Sequence, residues 1–247
     1  MTPTLLPNEL LATIEAAETE HLSLYGGEAV RVGPLSAVYT GPELPVNGAW
    51  GFGSHSDGLN GHLDAVEEFF AARHLPSRLV VYSHFPAWAT LAERGYRLAQ
   101  LLHVHVHSLE DLPEWMQVRA MQVRASPPDE FAALSARAFG PGNEAIMERT
   151  ARRTRTRFYA AEVAGEPVAA GAMTIFGAVA WLFSAATLPE FRNMGAQTAL
   201  LAARLHAAKD AGASRAAVLT TPGSASERNV QRAGFVQVGA RLSFQQG

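Results

Sequence analysis

The chain has 247 residues, of which 48% are hydrophobic and 17% are charged, so it can bury a substantial core in one large domain or in two ordinary ones. Twenty Lys and Arg residues against 23 Asp and Glu residues give a formal net charge of -3, which does not favour nucleic acid or an acidic membrane surface as the main partner. The sequence contains no cysteine, which excludes disulfides, thiolate metal ligands and a covalent acyl-cysteine intermediate.

The apolar segments and the N-terminus of the sequence indicate where in the cell the protein is expected. Its long apolar stretches, such as residues 177–186, fall short of the roughly 20 residues that a membrane-spanning helix needs. The N-terminus lacks a basic start and carries acidic residues where a signal peptide would be apolar. We therefore expect a cytoplasmic protein that binds neither nucleic acid nor membranes; its oligomeric state cannot be inferred from these patterns.

The first half alternates helical and extended patterns. Apolar residues at helical spacing predict a helix within residues 1–25, with Asn8 as a candidate N-cap and with Gly26 and Gly27 ending it. The further predicted elements are extended segments at 30–39 and 49–53, a polar turn at 54–61, a helix at 62–73, a strand at 78–82, a helix at 86–94 and a strand at 96–107. A polar, proline-bearing segment at 108–115 follows and is typical of a linker.

The second half repeats part of that order. The predicted elements are helices at 128–139, 144–156, 195–211 and 224–233, and strands at 158–163, 168–175, 179–188, 215–220 and 238–244. In both halves a helix, a strand, a short helix, a Gly-aromatic pair and a strand follow one another. The doubled segment MQVRAMQVRA at 116–125 is not a structural repeat, because a shift of five residues would put equivalent side chains on opposite strand faces; we have no physical account of it.

One turn in the second half has the features of a phosphate site. An apolar predicted strand ends in the segment TLPEF, which is followed by Arg192 to Gly195. An Ala- and Leu-rich predicted helix begins directly after this turn. The first N–H groups of a helix have no internal partner and lie at the positive end of its dipole, so they attract anions. Gly195 would let the backbone approach a pyrophosphate closely, and Arg192 could add a charged contact. The alternative is an ordinary strand-to-helix connection.

The residues around this turn resemble a known family. R-x-x-G-x-Q-T-A-L at Arg192–Leu200 and ASERNVQRAGF at Ala225–Phe235, with the order of elements over 116–247, resemble the GNAT superfamily of acetyl-CoA-dependent acyltransferases. The resemblance is closest to a bacterial subgroup with tandem GNAT-like halves. It implies an α/β (α+β) fold of two GNAT-like mixed-sheet domains, a degenerate domain at 1–112 that lacks the pyrophosphate loop and an acetyl-CoA-binding domain at 113–247.

The resemblance also implies a cofactor site without a metal. Backbone amides from Met194 to Thr198 would hold the pyrophosphate of coenzyme A, and the preceding strand end would pair with the pantetheine arm and direct an N–H at the thioester oxygen. Two side chains of the short helix would lie near the thiol. The implied acetyl-CoA-binding residues are Ala185, Ala186, Thr187, Leu188, Arg192, Asn193, Met194, Gly195, Ala196, Gln197, Thr198, Ser226 and Asn229.

The sequence departs from the family at the catalytic positions. Val230 stands where many members carry a general-acid tyrosine, Ser184 lies near the usual position of a glutamate base, and Gln197 replaces the preferred Gly or Ala. An amine with a pKa of about 10 must lose a proton before it attacks a thioester. Glu144, Glu148 and His206 are available, but their spacing selects none of them, so the catalytic residues stay unassigned.

The function that the resemblance implies is direct transfer of an acetyl group from acetyl-CoA to a primary amine of a small molecule. The missing tyrosine and glutamate leave open a catalytically silent acyl-CoA-binding protein. A tandem acyltransferase similar to mycothiol synthase, with a larger acyl donor or a specialised acceptor, is also open.

Three further patterns allow two readings each. His103, His105 and His107 share one strand face and could ligate zinc, or could belong to a polar or contact surface. Five arginines between 149 and 157 could attract an acidic substrate or the cofactor's 3′-phosphate, or could form a solvated helix face. Trp181 and Phe183 could line an acceptor cleft or belong to the core.

Overall fold

The computed structural model describes residues 6–42, 44, 46–53, 57–112 and 121–246. The chain forms two compact units, one of Met1–Val104 with Gln237–Gly247 and one of His105–Val236. The predicted division at 112 follows chain order and therefore assigns the last strand to the second domain; that division stays a prediction. The end of the predicted linker and the first MQVRA copy lie outside the described residues.

The first unit is a mixed sheet with three helices among its described residues. They are helices α1 (Pro7–Ser23), α2 (Leu59–Ala71) and α3 (Trp88–Glu93), and strands β1 (Glu28–Val32), β2 (Leu35–Tyr39), β3 (Gly48–Trp50), β4 (Arg78–Tyr82), the start of β5 (Tyr96–Ser108) and the end of β11 (Val236–Gln246). β1, β2 and β3 pair antiparallel in sequence, β4 pairs parallel with β3, and β11 pairs antiparallel with β4. The last strand of the sequence thus completes the first unit.

Several local predictions in this unit are wrong. Residues 59–61 belong to α2 and not to the predicted polar turn. Residues 30–39 are not one extended segment, since β1 and β2 pair as a hairpin and Gly33 adopts a left-handed φ of 57° in its turn. Asn8 is not the N-cap of α1, because the helix begins one residue earlier with Pro7 in its first turn. The Glu9 carboxylate accepts a hydrogen bond from the backbone N–H of the actual N-cap residue, Leu6, at 2.9 Å.

A buried ionic contact attaches β11 to α1 in the first unit. Glu18 of α1 is 4% exposed and lies 2.9 Å from Nε of Arg241 in β11. The hydroxyl of Tyr82 in β4 donates to the same carboxylate at 2.7 Å. Burial, followed by the nearby Glu18 charge, raises the pKa of Tyr82 well above its ordinary value. Removing one partner of such a buried pair leaves a charge without compensation.

The second unit carries the remaining elements. They are β6 (Gln122–Ala125), α4 (Pro128–Phe139), α5 (Glu144–Ala151), β7 (Thr156–Val163), β8 (Glu166–Phe176), β9 (Val179–Thr187), α6 (Ala196–Asp210), β10 (Arg215–Thr220) and α7 (Ala225–Arg232), with the end of β5 and the first residue of β11. β6 to β9 pair antiparallel in sequence, and β10 pairs parallel with β9. α5 ends at Ala151 and not at 156, since Arg155 has a left-handed φ of 59° and β7 starts at Thr156.

Helices cover both faces of the second unit's sheet. Alternation along the strands sends neighbouring residues to opposite faces. Met173 of β8 packs in a cluster with α6 residues, among them Leu205, whereas Ala172 packs in a cluster with Phe131 of α4. The sheet of the second unit is therefore covered by helices on both faces. Among the described residues, no helix has the length and apolarity needed to cross a membrane.

Candidate functional site

β9 and β10 separate before either strand ends. Their parallel register runs from Arg215 opposite Val179 to Val218 opposite Leu182. β9 continues to Thr187 and β10 to Thr220. The final residues of both strands therefore present backbone groups to an opening and not to each other.

A β-bulge lies at the point where β9 leaves β10. Ala170 pairs with Ala186 and Ala172 with Phe183, so Ser184 and the residue after it face the single residue Gly171. Ser184 has a left-handed φ of 47°. An extra residue of this kind bends its strand and ends regular pairing, which accounts for the opening between β9 and β10.

Arg204 of α6 fills the space behind the bulge. Its Nη1 donates to the carbonyl of Ala172 at 3.2 Å and to that of Phe183 at 3.5 Å, and its Nε donates to Leu200 at 3.1 Å. A Cβ at Gly171 would lie 3.1 Å from Cζ of Arg204, so the absence of a side chain there makes room for the guanidinium. Arg204 is 3% exposed, and burial lowers its pKa to about 10.

The loop after β9 presents the start of α6. Asn193 and Gly195 have left-handed φ values of 66° and 90°, and α6 starts at the next residue without a side-chain cap. The first bond of the helix is that of the Ala199 N–H to the Gly195 carbonyl at 3.0 Å. The N–H groups of residues 196–198 thus have no partner inside the helix, and outside Gly195 and its two chain neighbours none of the described residues has an atom within 4 Å of the position of a Gly195 Cβ.

Two adjoining cavities connect this helix start with the opened strands. The first, here called the loop cavity, has a volume of about 530 Å³ and is lined by the loop, the end of β9 and α7. The second, here called the strand cavity, has a volume of about 350 Å³ and is lined by β9, β10, α6 and α7. Residues common to both linings are Phe139, Ala185, Gln197, Ser226 and Asn229. One long ligand could therefore occupy both.

Comparison with known proteins agrees with this geometry. Residues 116–235 match the model of the acetyltransferase (GNAT) family. These residues form a GNAT domain. The assignment supports acyl transfer as the general class of activity. None of the curated proteins compared with the chain matches it.

Solved structures resemble the chain over both halves. A GCN5-related N-acetyltransferase from Kribbella flavida is 19% identical, with a TM-score of 0.74 and 95% coverage of each chain. A tandem GNAT protein from the clavulanic acid biosynthesis pathway is 14% identical, with a TM-score of 0.59, over 96% of this chain and 93% of its own. A putative GNAT acetyltransferase from Novosphingobium aromaticivorans is 13% identical, with a TM-score of 0.60 and 93% coverage of each chain. These likenesses show the fold, and the predicted tandem GNAT-like architecture is confirmed.

The structure brings most of the predicted cofactor residues together. All of them except Leu188 and Met194 line the loop cavity. Leu188 is 2% exposed and packs in the core beneath α4, while Met194 is 51% exposed. Gln197 stands where the family prefers the smaller Gly or Ala. Its Nε2 donates a hydrogen bond to Oγ1 of Thr187 at 3.1 Å, which fixes the side chain against the end of β9. Its side chain therefore need not obstruct the helix start.

Two arginines of the GNAT domain that the sequence analysis missed line these cavities. Arg232 joins Arg192 in the loop cavity, and Arg204 lies in the strand cavity. No Asp or Glu is among the described residues that line either cavity. Spacing could have revealed Arg232, because it follows Asn229 by three residues on the short helix. Arg204 follows the buried Leu200 by four residues, which places it on the inward side of α6.

The candidate bases and the arginine run lie elsewhere. Glu144 and Glu148 line a groove between α4 and α5 together with Arg152, and neither carboxylate is in the lining of the loop or strand cavity. His206 is likewise not in those linings. Arg153 is 4% exposed, with its Cζ 4.7 Å from the ring centre of Phe183. Its aromatic partner lines the strand cavity, so this arginine supports the wall of the cleft.

Two histidines of β5, His105 and His107, belong to the second unit. Their neighbours are a hydroxyl, a single carboxylate and an aromatic ring. Nδ1 of the fully buried His105 lies 3.3 Å from Oγ1 of Thr220, and its Nε2 lies 3.7 Å from Oε1 of Glu227. His107 stacks edge-on against Phe235 at 5.3 Å, and burial lowers its pKa. Within the described part of the chain, no group of three or more His, Cys, Asp or Glu residues could hold a metal ion.

Proposed function

We propose that the protein transfers an acetyl group from acetyl-CoA to a primary amine of a small molecule by direct attack. The single observation that carries the proposal is the junction of two cavities, one at an uncapped helix start and one between two separated strands. An extended ligand with an anionic end and a thioester end has complementary chemistry to this pair.

The loop cavity suits the anionic end of the ligand. The N–H groups of residues 196–198 lie at the positive end of the α6 dipole. Arg192 and Arg232 contribute formal positive charge, and no acidic side chain in the described lining opposes it. A pyrophosphate would gain hydrogen bonds from the backbone and charge-assisted contacts from the arginines.

The strand cavity suits the pantetheine arm and the thioester. An arm that contains amides can pair with an open strand edge as an additional strand would. The end of β9 from the second bulge residue onward, Ala185 to Thr187, supplies such an edge. A backbone N–H directed at the thioester oxygen would stabilise the negative charge that develops there during attack.

The reaction also needs a route for protons, and Thr220 is our candidate for it. The attacking amine must lose a proton and the departing thiolate must gain one. Thr220 lines the strand cavity, and its hydroxyl is hydrogen-bonded to His105, which has Glu227 on its other side. With no cysteine in the chain and no carboxylate in the described lining, we infer that this hydroxyl passes the proton on.

A catalytically silent acyl-CoA-binding protein is the second candidate. Val230, at the position of the expected tyrosine, is 4% exposed and packs in the core. Because its side chain has no ionisable group, it cannot replace the tyrosine as a proton donor. Steady release of coenzyme A in the presence of any amine would exclude this alternative.

The first experiment is calorimetric titration with acetyl-CoA, coenzyme A and 3′,5′-adenosine bisphosphate. The proposal expects saturable one-site binding that is much weaker for the nucleotide without the pantetheine arm. A screen of primary amines follows, with release of coenzyme A detected by a thiol reagent. Absence of binding at millimolar acetyl-CoA would overturn the proposal. The amine acceptor stays a prediction until then, and the cytoplasmic location is a separate prediction.

A further inference from the structure

Arg204 has more hydrogen-bonding capacity than the protein uses. Its Nε and Nη1 donate to three backbone carbonyls. Its Nη2 has no partner among the described residues, although the side chain is almost fully buried. A guanidinium presents five N–H donors, so Nη2 carries two donors that these hydrogen bonds do not use, and Arg204 is one of the residues that line the strand cavity.

A purely structural role explains only part of this arrangement. The carbonyls of Ala172 and Phe183 flank the bulge, and Arg204 supplies the hydrogen bonds that regular pairing no longer gives them. Neutral donors could do the same without the desolvation cost of a buried cation. Burial lowers the pKa of Arg204 to about 10, which is still well above neutrality, so the group is charged under ordinary conditions.

Among the described residues that line the strand cavity, none carries a negative charge that could balance this cation. The described lining of the cavity is mainly apolar, with Trp181, Leu182, Leu201 and Val218 among its members, and it contains no acidic residue. Arg204 is the one charged side chain in that lining. A cavity with one guanidinium and no acidic residue in its described lining is complementary to a ligand that ends in a carboxylate.

The position of Arg204 separates it from the anion site at the helix start. It lies eight residues after Ala196, which is roughly 12 Å along α6 at about 1.5 Å per residue. It is absent from the lining of the loop cavity. Its expected ligand group is therefore distinct from the pyrophosphate and belongs to the reacting end of the complex.

We propose that Arg204 binds a carboxylate of the substrate through Nη2, so that this transferase uses either an acyl group with a terminal carboxylate or an amino acid as acceptor. The inference rests on the proposed acyl-CoA-dependent function. Gly171 is part of the same site, because a side chain there would displace the guanidinium.

Two arms of one experiment distinguish the two sources of the carboxylate. In the first, the affinities for succinyl-CoA and butyryl-CoA are compared by calorimetry. In the second, kcat/KM with acetyl-CoA is compared for L-amino acids and for the corresponding decarboxylated amines. One charge-assisted contact corresponds to a preference of about tenfold to a hundredfold. We expect that preference for the carboxylated member in one arm and its loss in Arg204→Met.

Two further variants serve as controls. Arg31→Met removes the same charge from an exposed strand of the first unit and should keep the preference. Arg204→Lys keeps the charge but lacks the fork of donors, so the preference should fall severalfold. If circular dichroism shows that Arg204→Met does not fold, Arg204→Lys takes its place in the measurement of the carboxylate preference.

The outcomes separate this inference from the proposed function. Equal binding and turnover of carboxylated and neutral partners, or equal losses for both in Arg204→Met, would overturn the inference and leave the acyltransferase intact. Failure of the wild-type protein to bind any acyl-CoA would overturn the proposed function. Succinate alone should then still raise the melting temperature of the wild type but not of Arg204→Met, and no such difference would overturn the inference too.

Discussion

Gly58 and Gly195 adopt the same left-handed conformation, each immediately before the first residue of a helix. Gly58 has φ 68° and ψ 10° ahead of α2, and Gly195 has φ 90° and ψ 1° ahead of α6. Their surroundings differ, because a Cβ at Gly58 would lie 3.5 Å from the ring of His62, whereas the space at Gly195 is open. Both halves thus keep the turn that starts this helix, while a side chain at the first glycine would contact His62 and one at the second would meet, beyond its chain neighbours, none of the described atoms within 4 Å.

Gly195→Glu should weaken acetyl-CoA binding sharply. The substitution places a carboxylate where we propose the pyrophosphate, and it fills the open space at the helix start. We expect the Kd to rise by at least about tenfold, equivalent to about 1.4 kcal/mol, measured by calorimetry. Gly58→Glu is the matched control. At both positions the new glutamate must adopt the left-handed conformation of the glycine that it replaces, which lowers the stability of the fold by about 1–2 kcal/mol. Unchanged affinity in a folded Gly195→Glu protein would mean that the loop is only a connection.

The hydrogen bond between Gln197 and Thr187 should position the start of α6 relative to the end of β9. Gln197→Ala and Thr187→Val each remove one side of the 3.1 Å contact. A neutral hydrogen bond contributes about 0.5–1.5 kcal/mol, so each variant should raise the Kd for acetyl-CoA by about twofold to tenfold. The double variant should be no worse than either single one, because both delete the same interaction. Additive losses would show that the two side chains act separately.

Ser184→Gly should preserve or increase stability. Relief of the left-handed φ of 47° is worth about 1–2 kcal/mol, while the extra freedom of glycine in the unfolded chain costs about 0.4–1 kcal/mol. Ser184→Val should destabilise, because a β-branched residue tolerates this conformation poorly. Urea unfolding of both variants measures the difference. A loss of more than about 1 kcal/mol in Ser184→Gly would show that the serine side chain holds the bulge.

Local signals were sufficient for many elements of the fold. The predicted ranges of β4, α4 and β10 agree with the structure, because Pro128 starts α4, Gly140 follows it and short β-branched runs mark the strands. The bulge was not predictable, since it depends on Ser184 facing Gly171 across two strands. No local pattern shows that register.

The same limit applies to the site. The phosphate-like loop could be found from Gly195 and the apolar strand before it, because a helix start is a local feature. Arg204 was not predictable as a site residue, because its position at the cavity depends on hydrogen bonds to backbone carbonyls of β8 and β9 that are far from it in sequence. The pairing of β11 with β4 is also non-local, and it joins the end of the chain to the first unit.

Thr220→Val should lower kcat much more than it changes KM for the acyl donor. The substitution keeps the shape of the side chain but removes the hydroxyl that is bonded to His105. General acid–base groups typically contribute about 10²–10⁴-fold to rate, and we expect a loss of at least the lower value in coenzyme A release. Thr220→Ser restores a hydroxyl and should recover most of the rate. Equal activity of the valine and serine variants would exclude this hydroxyl from proton transfer.

His107 should make the folded state sensitive to mild acid. Burial lowers its pKa in the folded protein, which outweighs the opposite effect of a backbone hydrogen bond at Ser108, and its ring packs on Phe235 and next to Gly234. Below about pH 6.5 the unfolded chain therefore binds a proton at this histidine that the folded state does not, so stability falls as the pH is lowered.

His107→Gln removes the titrating group while keeping a polar side chain of similar reach. The variant should be less stable than the wild type at about pH 7.5, because the ring contact is lost, but its stability should fall less on acidification to about pH 5.5. Urea unfolding at both pH values measures the two differences, and the other histidines of the chain cancel in the comparison. Parallel losses in both proteins would show that His107 takes up its proton equally in the folded and unfolded states.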